Sequence, residues 1–178
     1  DDRFYQNIFV GGAPLLGEAN GTSCGTVDFN GHPASYEEYI DLINEAFPGD
    51  NELYVKVKQP VYIDRNVYLQ GAKGYDREKS CYTGDAGLKA RTVKEETEEG
   101  CRVYLEADVD KAILDQEAVV MRTQDLGCTR AAEELFENPD GTPIVFDRDY
   151  CGNKREEGHV IVGPINDLVE GHNKIRIW

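Results

Sequence analysis

Carboxylates are the residues of this chain with the most chemistry to offer: 34 of its 178 residues are Asp or Glu. A pair of them can cleave a glycosidic bond, one protonating the leaving oxygen while the other attacks the sugar or activates water. With so many acids, position must select among them. Asp1 and Asp2 stand immediately before the first strand-like run, and Glu18 lies in the glycine-rich loop after it. These are the candidate catalytic residues, set against the plainer reading that an acidic terminus is simply solvated. Sugars are held by aromatic faces together with planar polar groups. Tyr62, Tyr68 and Tyr104 sit where strand alternation leaves a side chain exposed, and Arg3 supplies a planar cation. They are the candidate substrate-binding residues, although each tyrosine also suits ordinary packing.

Other chemistries find less support. The histidines His32, His159 and His172 fall in loops or at strand ends, and no GxSxG elbow presents a nucleophilic serine. Without a GxGxxG or Walker loop there is no phosphate cradle. Asp147 with Asp149, or Asn138 to Gly141, could offer oxygen ligands to calcium, but the regular spacing of a calcium loop is missing and a turn explains Asn138 to Gly141 better. Neither a metal nor a cofactor is expected. The five cysteines, Cys24, Cys81, Cys101, Cys128 and Cys151, form no CxxC pair, and their odd number leaves at least one outside any internal bridge. A net charge of −15 repels nucleic acid and anionic membranes while leaving neutral ligands such as sugars unaffected. No apolar stretch is long enough to span a bilayer.

The elements that must position these groups are mostly strands. Arg3 to Val10 is rich in aromatic and β-branched residues and is broken by Gly11-Gly12 and Pro14. Leu15 to Pro33 reads as loop with a brief strand at Thr26 to Phe29, and Asn20-Gly21-Thr22 is a glycosylation sequon if the chain is secreted. Ser35-Tyr36-Glu37-Glu38 is a capping box opening one amphipathic helix over 35–47, whose apolar stripe faces a core. Leu53 to Leu69 alternates twice around Pro60, predicting two strands, at whose corners Asn7 or Asn66 could join a side-chain ladder. Gly71 to Gly87 reads as a boundary between a portion 1–74 and a portion 75–178. Beyond it Lys89–Val93, Cys101–Val109, Ala118–Thr123, Ile144–Phe146, His159–Val162 and Lys174–Trp178 recur as short strands at sandwich-like intervals. Thr129 to Phe136 predicts one or two helical turns, and no internal repeat registers.

Asp140 to Pro164 reads as a closing hairpin in which Asp147 and Asp149 share a face and Arg155 pairs with either carboxylate. Its spacing of acid, aromatic, glycine, arginine and Val-Gly resembles the C-terminal signature of right-handed parallel β-helix proteins, many of which act on polysaccharides. Phe4 to Gly12 and Pro60 to Ala72 look like rungs of the β-xylosidase-type glycoside hydrolases. Together the three stretches cover about a third of the chain, and none is a catalytic fingerprint.

The resemblance implies an all-β fold, terminal rungs of a parallel β-helix over 1–74 followed by an antiparallel β-sandwich over 75–178, with one helix. Asp1 and Asp2 would then lie at a strand edge beside the groove that β-helix enzymes use. It also implies hydrolysis of plant-type oligosaccharides, with an oligosaccharide or polysaccharide as partner and most of the active groove on sequence upstream of Asp1. The chain enters a strand-like pattern at once, without an initiator Met or signal sequence, as an excised or processed piece would. Secreted and cytoplasmic locations both remain open. The competing readings are a non-catalytic carbohydrate-binding or structural module and, further off, an interaction domain without sugar affinity.

Overall fold

A computed structural model describes residues 2–11, 25–26, 36–45, 48–56, 61–85, 87–129 and 132–178. Its regular structure is mostly β-strand, in small sheets that do not close, with a few short helices. Strand β1 (Asp2–Tyr5) pairs in parallel with β3 (Val61–Asp64), and β2 (Ile8–Val10) in parallel with β4 (Val67–Leu69). Strand β5 (Tyr82–Gly84) adds a second parallel neighbour to β4, making a three-stranded sheet.

The two pairings keep one register. Asp2 faces Val61 and Ile8 faces Val67, so 59 residues separate partners on both sides of the corner. At that corner Gln6 and Arg65 adopt the left-handed conformation, with φ of 57° and 56°. The matched bends let both strand pairs continue in parallel. Asn7 and Asn66 follow them, and their side chains form the ladder expected of a repeated corner. Asn66 Oδ1 accepts from the Asn7 amide at 2.9 Å and from Asn7 Nδ2 at 3.0 Å, while Asn66 Nδ2 donates to Phe4 O and Glu78 Oε1. An amide buried to 1% exposure must satisfy its polar atoms internally, and this one does.

A second unit follows. Strands β6 (Leu88–Thr97) and β7 (Gly100–Val109) form a long antiparallel hairpin, and β8 (Gly171–Arg176) pairs with the far side of β7. Val67 and Leu69 of β4 share one core with Ala107 and Val109 of β7, with Ile113, and with Val162, Ile165 and Leu168 of the closing segment. Each of the larger side chains contributes roughly 1.5–3 kcal/mol on burial, so parallel and antiparallel units are held together across position 74. No helix is long and apolar enough to cross a membrane, among the described residues.

Several predicted elements differ. The helix spans Tyr36–Asn44 (α1), shorter than 35–47, with Glu37 and Glu38 favouring its positive end. Its capping Ser35, and Val27 to Phe29 of the brief strand, lie outside the described residues. Asp50–Lys56 is a helix (α2) where a strand was predicted. Leu53 and Val57 are four apart, a spacing that suits either period, and Asp50, Glu52 and Lys56 complement the helix dipole. Only one antiparallel sheet forms among the described residues of 75–178, where a two-sheet sandwich was expected. Ala118–Thr123 and Ile144–Phe146 meet in a single bridge, Arg122 to Val145, because Thr123–Leu126 turns into a short helix anchored by Asp125 accepting from the Arg122 amide. His159–Val162 forms no strand. Where helical turns were expected in Thr129–Phe136, the described residues show Glu133 N donating to Thr129 O and Thr129 N donating to Glu134 O, beside a bridge between Cys128 and Leu135.

Candidate functional site

A cleft of about 770 Å³ opens where the outer edge of β1 and β2 meets the irregular chain from 118 to 164. That size falls within the range of small-molecule sites. Gln6 builds the junction. Its side chain, 8% exposed, donates from Nε2 to Val119 O at 3.1 Å and accepts the Val119 amide on Oε1, mimicking a backbone strand partner. Its own carbonyl accepts from Gly163 N at 2.8 Å. Gly163 has φ of 91°, and a Cβ there would stand 2.8 Å from Ile8 Cδ1, so only glycine lets the closing segment approach so near.

Asp149 shapes the far wall. Oδ1 accepts from the Cys151 and Asn153 amides, both at 2.9 Å, and Oδ2 from Asn166 N and Asn153 Nδ2. Burial alone would raise its pKa, but these donors together outweigh it and hold the carboxyl below the usual range. The expected pairing of Arg155 with Asp147 or Asp149 gives way to another arrangement. Asp149 is saturated by its own loop, and Arg155 Nη2 turns to the Gly163 carbonyl at 2.6 Å. The hairpin itself is real though small: Arg148 bridges Lys154, and Arg155 N donates to Asp147 O. Asn138 to Gly141 forms the turn expected there, with Asp140 accepting from both the amide and hydroxyl of Thr142.

Of the sequence candidates, Asp2 and Arg3 line this cleft. The Arg3 guanidinium lies between the rings of Tyr62, at 4.1 Å, and Phe136, at 4.4 Å, while Nε and Nη2 donate to the Leu126 and Cys128 carbonyls. Each stack is worth about 0.5–2 kcal/mol, so Arg3 clamps the cleft wall. Behind it, Tyr62 lines a smaller hollow of about 430 Å³ with Arg65, Tyr75 and Arg77. Asp1 and Glu18 lie outside the described residues. The exposure expected of Tyr68 is not found. It is 0% exposed, stacked on Phe9 at 5.3 Å, with its hydroxyl between Glu78 Oε2 and Thr26 Oγ1. Burial, reinforced by the Glu78 contact, pushes that phenol well above its ordinary pKa. Tyr104 lies on β7 beneath the Lys174 ammonium, 4.8 Å from its ring centroid, and does not line the cleft.

Sequence reasoning missed Gln6, Phe146, Arg148 and the turn of Arg155 toward the cleft. The acid-rich stretch around Asp147 carried the signal, but Phe146 was read as part of a strand, Arg148 was given no role, and Arg155 was read as a partner for the acids; these three line the cleft.

No protein-family model and no curated protein matches this chain. Among solved structures, its fold is shared with a protein that binds a sugar. That protein is XylC, solved in complex with xylose: identity is 35% over the whole of this chain, with a TM-score of 0.76. The chain spans 26% of the length of XylC.

Proposed function

We propose that this chain is part of a carbohydrate-active protein, specifically of a β-xylosidase-like glycoside hydrolase that cleaves plant-type oligosaccharides with a pair of carboxylates. The observation that carries the reading is the likeness to the xylose complex along the entire chain. The parallel pairs β1–β3 and β2–β4, joined through matched corners and an asparagine ladder, support a further step. In this reading 1–74 is the end of a parallel β-helix, 75–178 packs against it, and preceding rungs stack beyond the edge of β1 and β2 to complete the groove. Asp2 on that edge serves as one carboxylate, with Asp1 or Glu18 as its partner, and Arg3 and Tyr62 form a side of the sugar site.

Hydrolysis of 4-nitrophenyl β-xyloside by this chain, and by a longer chain carrying upstream sequence, tests the reading. Activity in the longer form that falls at least ~10³-fold in Asp2→Asn agrees with loss of a carboxylate that acts in the transition state. Full activity in Asp2→Asn removes that residue from the pair. Absence of hydrolysis in every form, with xylose still bound, replaces the enzyme by a non-catalytic binding module. One observation favours that second reading: among the described residues, Asp2 is the sole acid lining the cleft, beside three arginines, the polar Tyr5, Gln6 and Asn7, and apolar side chains.

A further inference from the structure

Six of the arginines show a contrast in what they face. Arg65, Arg91, Arg102 and Arg122 each lie within 3.3 Å of a carboxylate oxygen. Arg148 and Arg155 make no ion pair among the described residues. Arg148 Nη1 donates to the Gly152 carbonyl at 2.8 Å and Arg155 Nη2 to the Gly163 carbonyl at 2.6 Å, both neutral acceptors. Arg155 Nε is buried with no hydrogen-bond partner. Burial holds its guanidinium below the ordinary range, and the charge of Asp149 offsets only part of this. A guanidinium nevertheless stays protonated at neutral pH.

Both unpaired cations line the cleft, in a chain whose net charge is −15. Apolar side chains stand around them, and Phe146, two residues before Arg148, is 52% exposed. A low-dielectric concavity concentrates the field of its charges, so an excess of positive charge here attracts anions despite the acidic surface elsewhere. Planar guanidinium groups match carboxylates in a two-point geometry, and an aromatic face accepts the apolar side of a sugar ring.

We propose that the cleft takes a carboxylated pyranose, with its ring on Phe146, its carboxylate on Arg148, and Arg155 supplying a second, deeper positive charge. This rests on the sugar-binding reading above and adds the class of sugar.

Calorimetric titration of the full chain with D-glucuronate, D-xylose, acetate and inorganic phosphate tests it, at 20 mM and 200 mM salt. Glucuronate should bind roughly tenfold or more tighter than xylose, lose most of that margin in Arg148→Gln, and weaken at high salt. Arg148 is exposed and makes a single side-chain hydrogen bond, so the variant should keep its fold. Should it not, the ligand panel on the unaltered chain decides by itself. Equal binding of xylose and glucuronate overturns the inference and leaves the sugar reading standing. Acetate or phosphate binding as tightly as glucuronate also overturns it, showing an anion site without sugar recognition. Binding of none of the four overturns the inference, while hydrolysis by the longer chain decides the sugar reading separately.

Discussion

The two walls of the cleft are ordered by different means. On one side β1 through β5 repeat a backbone pattern, so each strand satisfies the next and one asparagine pair fixes the corner. On the other side, from 118 to 170, regular pairing shrinks to isolated bridges. Side chains there do what a sheet does elsewhere: Asp149 gathers three amides, Thr123 Oγ1 accepts from Ile144 N and donates to Phe136 O, and Asn166 Oδ1 accepts from Ile161 N. Repetition gives a rigid edge, while side-chain capping gives a wall whose shape depends on single residues. A binding cleft at their meeting point combines a fixed platform with an adaptable face.

Substitutions at the centres of these two systems should separate them. Asn66→Ala removes four side-chain hydrogen bonds from a buried site and takes away the acceptor of the Asn7 amide. Stability to urea should fall by about 4 kcal/mol in one cooperative transition, because the ladder serves the common core. Asp149→Ala strips the donors of the closing loop and should cost about 3 kcal/mol. Amide exchange should there accelerate at Cys151, Asn153 and Asn166 before it does at Val67. If Asn66→Ala frees only its own strands and leaves the 118–170 segment intact, the two walls do not share a core.

Gly163→Ala forces a side chain into the left-handed region and against Ile8, and should cost about 2 kcal/mol. It should also weaken any ligand of the cleft, since Gly163 lines it. The acid limb of stability sharpens the same contrast. The folded-state pKa of Asp149 lies below its unfolded value, so its contribution is complete above the unfolded pKa of about 3.9 and is lost as pH falls through the lower folded one. Unfolding midpoints measured from pH 6 to pH 2 should drop more steeply in the natural chain than in Asp149→Asn, which cannot titrate there. The smallest effect is expected at the Arg91–Glu106 pair on the antiparallel sheet, whose arginine is exposed. Arg91→Ala should leave the midpoint unmoved, as for most surface ion pairs.

The rigid wall was largely legible in the sequence and the adaptable one was not. Phe4 to Val10 and Val61 to Leu69 announce strands by their β-branched and aromatic content, and Asn7 and Asn66 mark the corner. Their 59-residue repeat escaped notice because identity is confined to Asn7 with Asn66, Gly12 with Gly71 and Ala13 with Ala72; Ile8 facing Val67 and Phe9 facing Tyr68 keep only character, and Arg3 facing Tyr62 or Tyr5 facing Asp64 not even that. Stacking demands compatible shape along a rung, and that leaves a faint trace in residue identity. In the other wall, Val119-Val120-Met121 and Ile144-Val145-Phe146 carry strand propensity, but each finds a single bridging partner before a turn intervenes. Propensity cannot reveal that Gln6, over a hundred residues away, supplies the missing hydrogen bonds of Val119. Arg155 was assigned the wrong partner, because Asp149 had already been claimed by backbone amides.

Whether the meeting of these two walls is a sugar site is tested most directly by titrating xylose into the isotope-labelled chain and following its backbone amides. The expected result is saturable shifts at Gln6, Asn7, Arg148 and Gly163, with Lys89, Arg91 and Asp108 on the antiparallel sheet unmoved. Saturable shifts on that sheet instead, or no saturable shift anywhere, would contradict the placement of a sugar in this cleft.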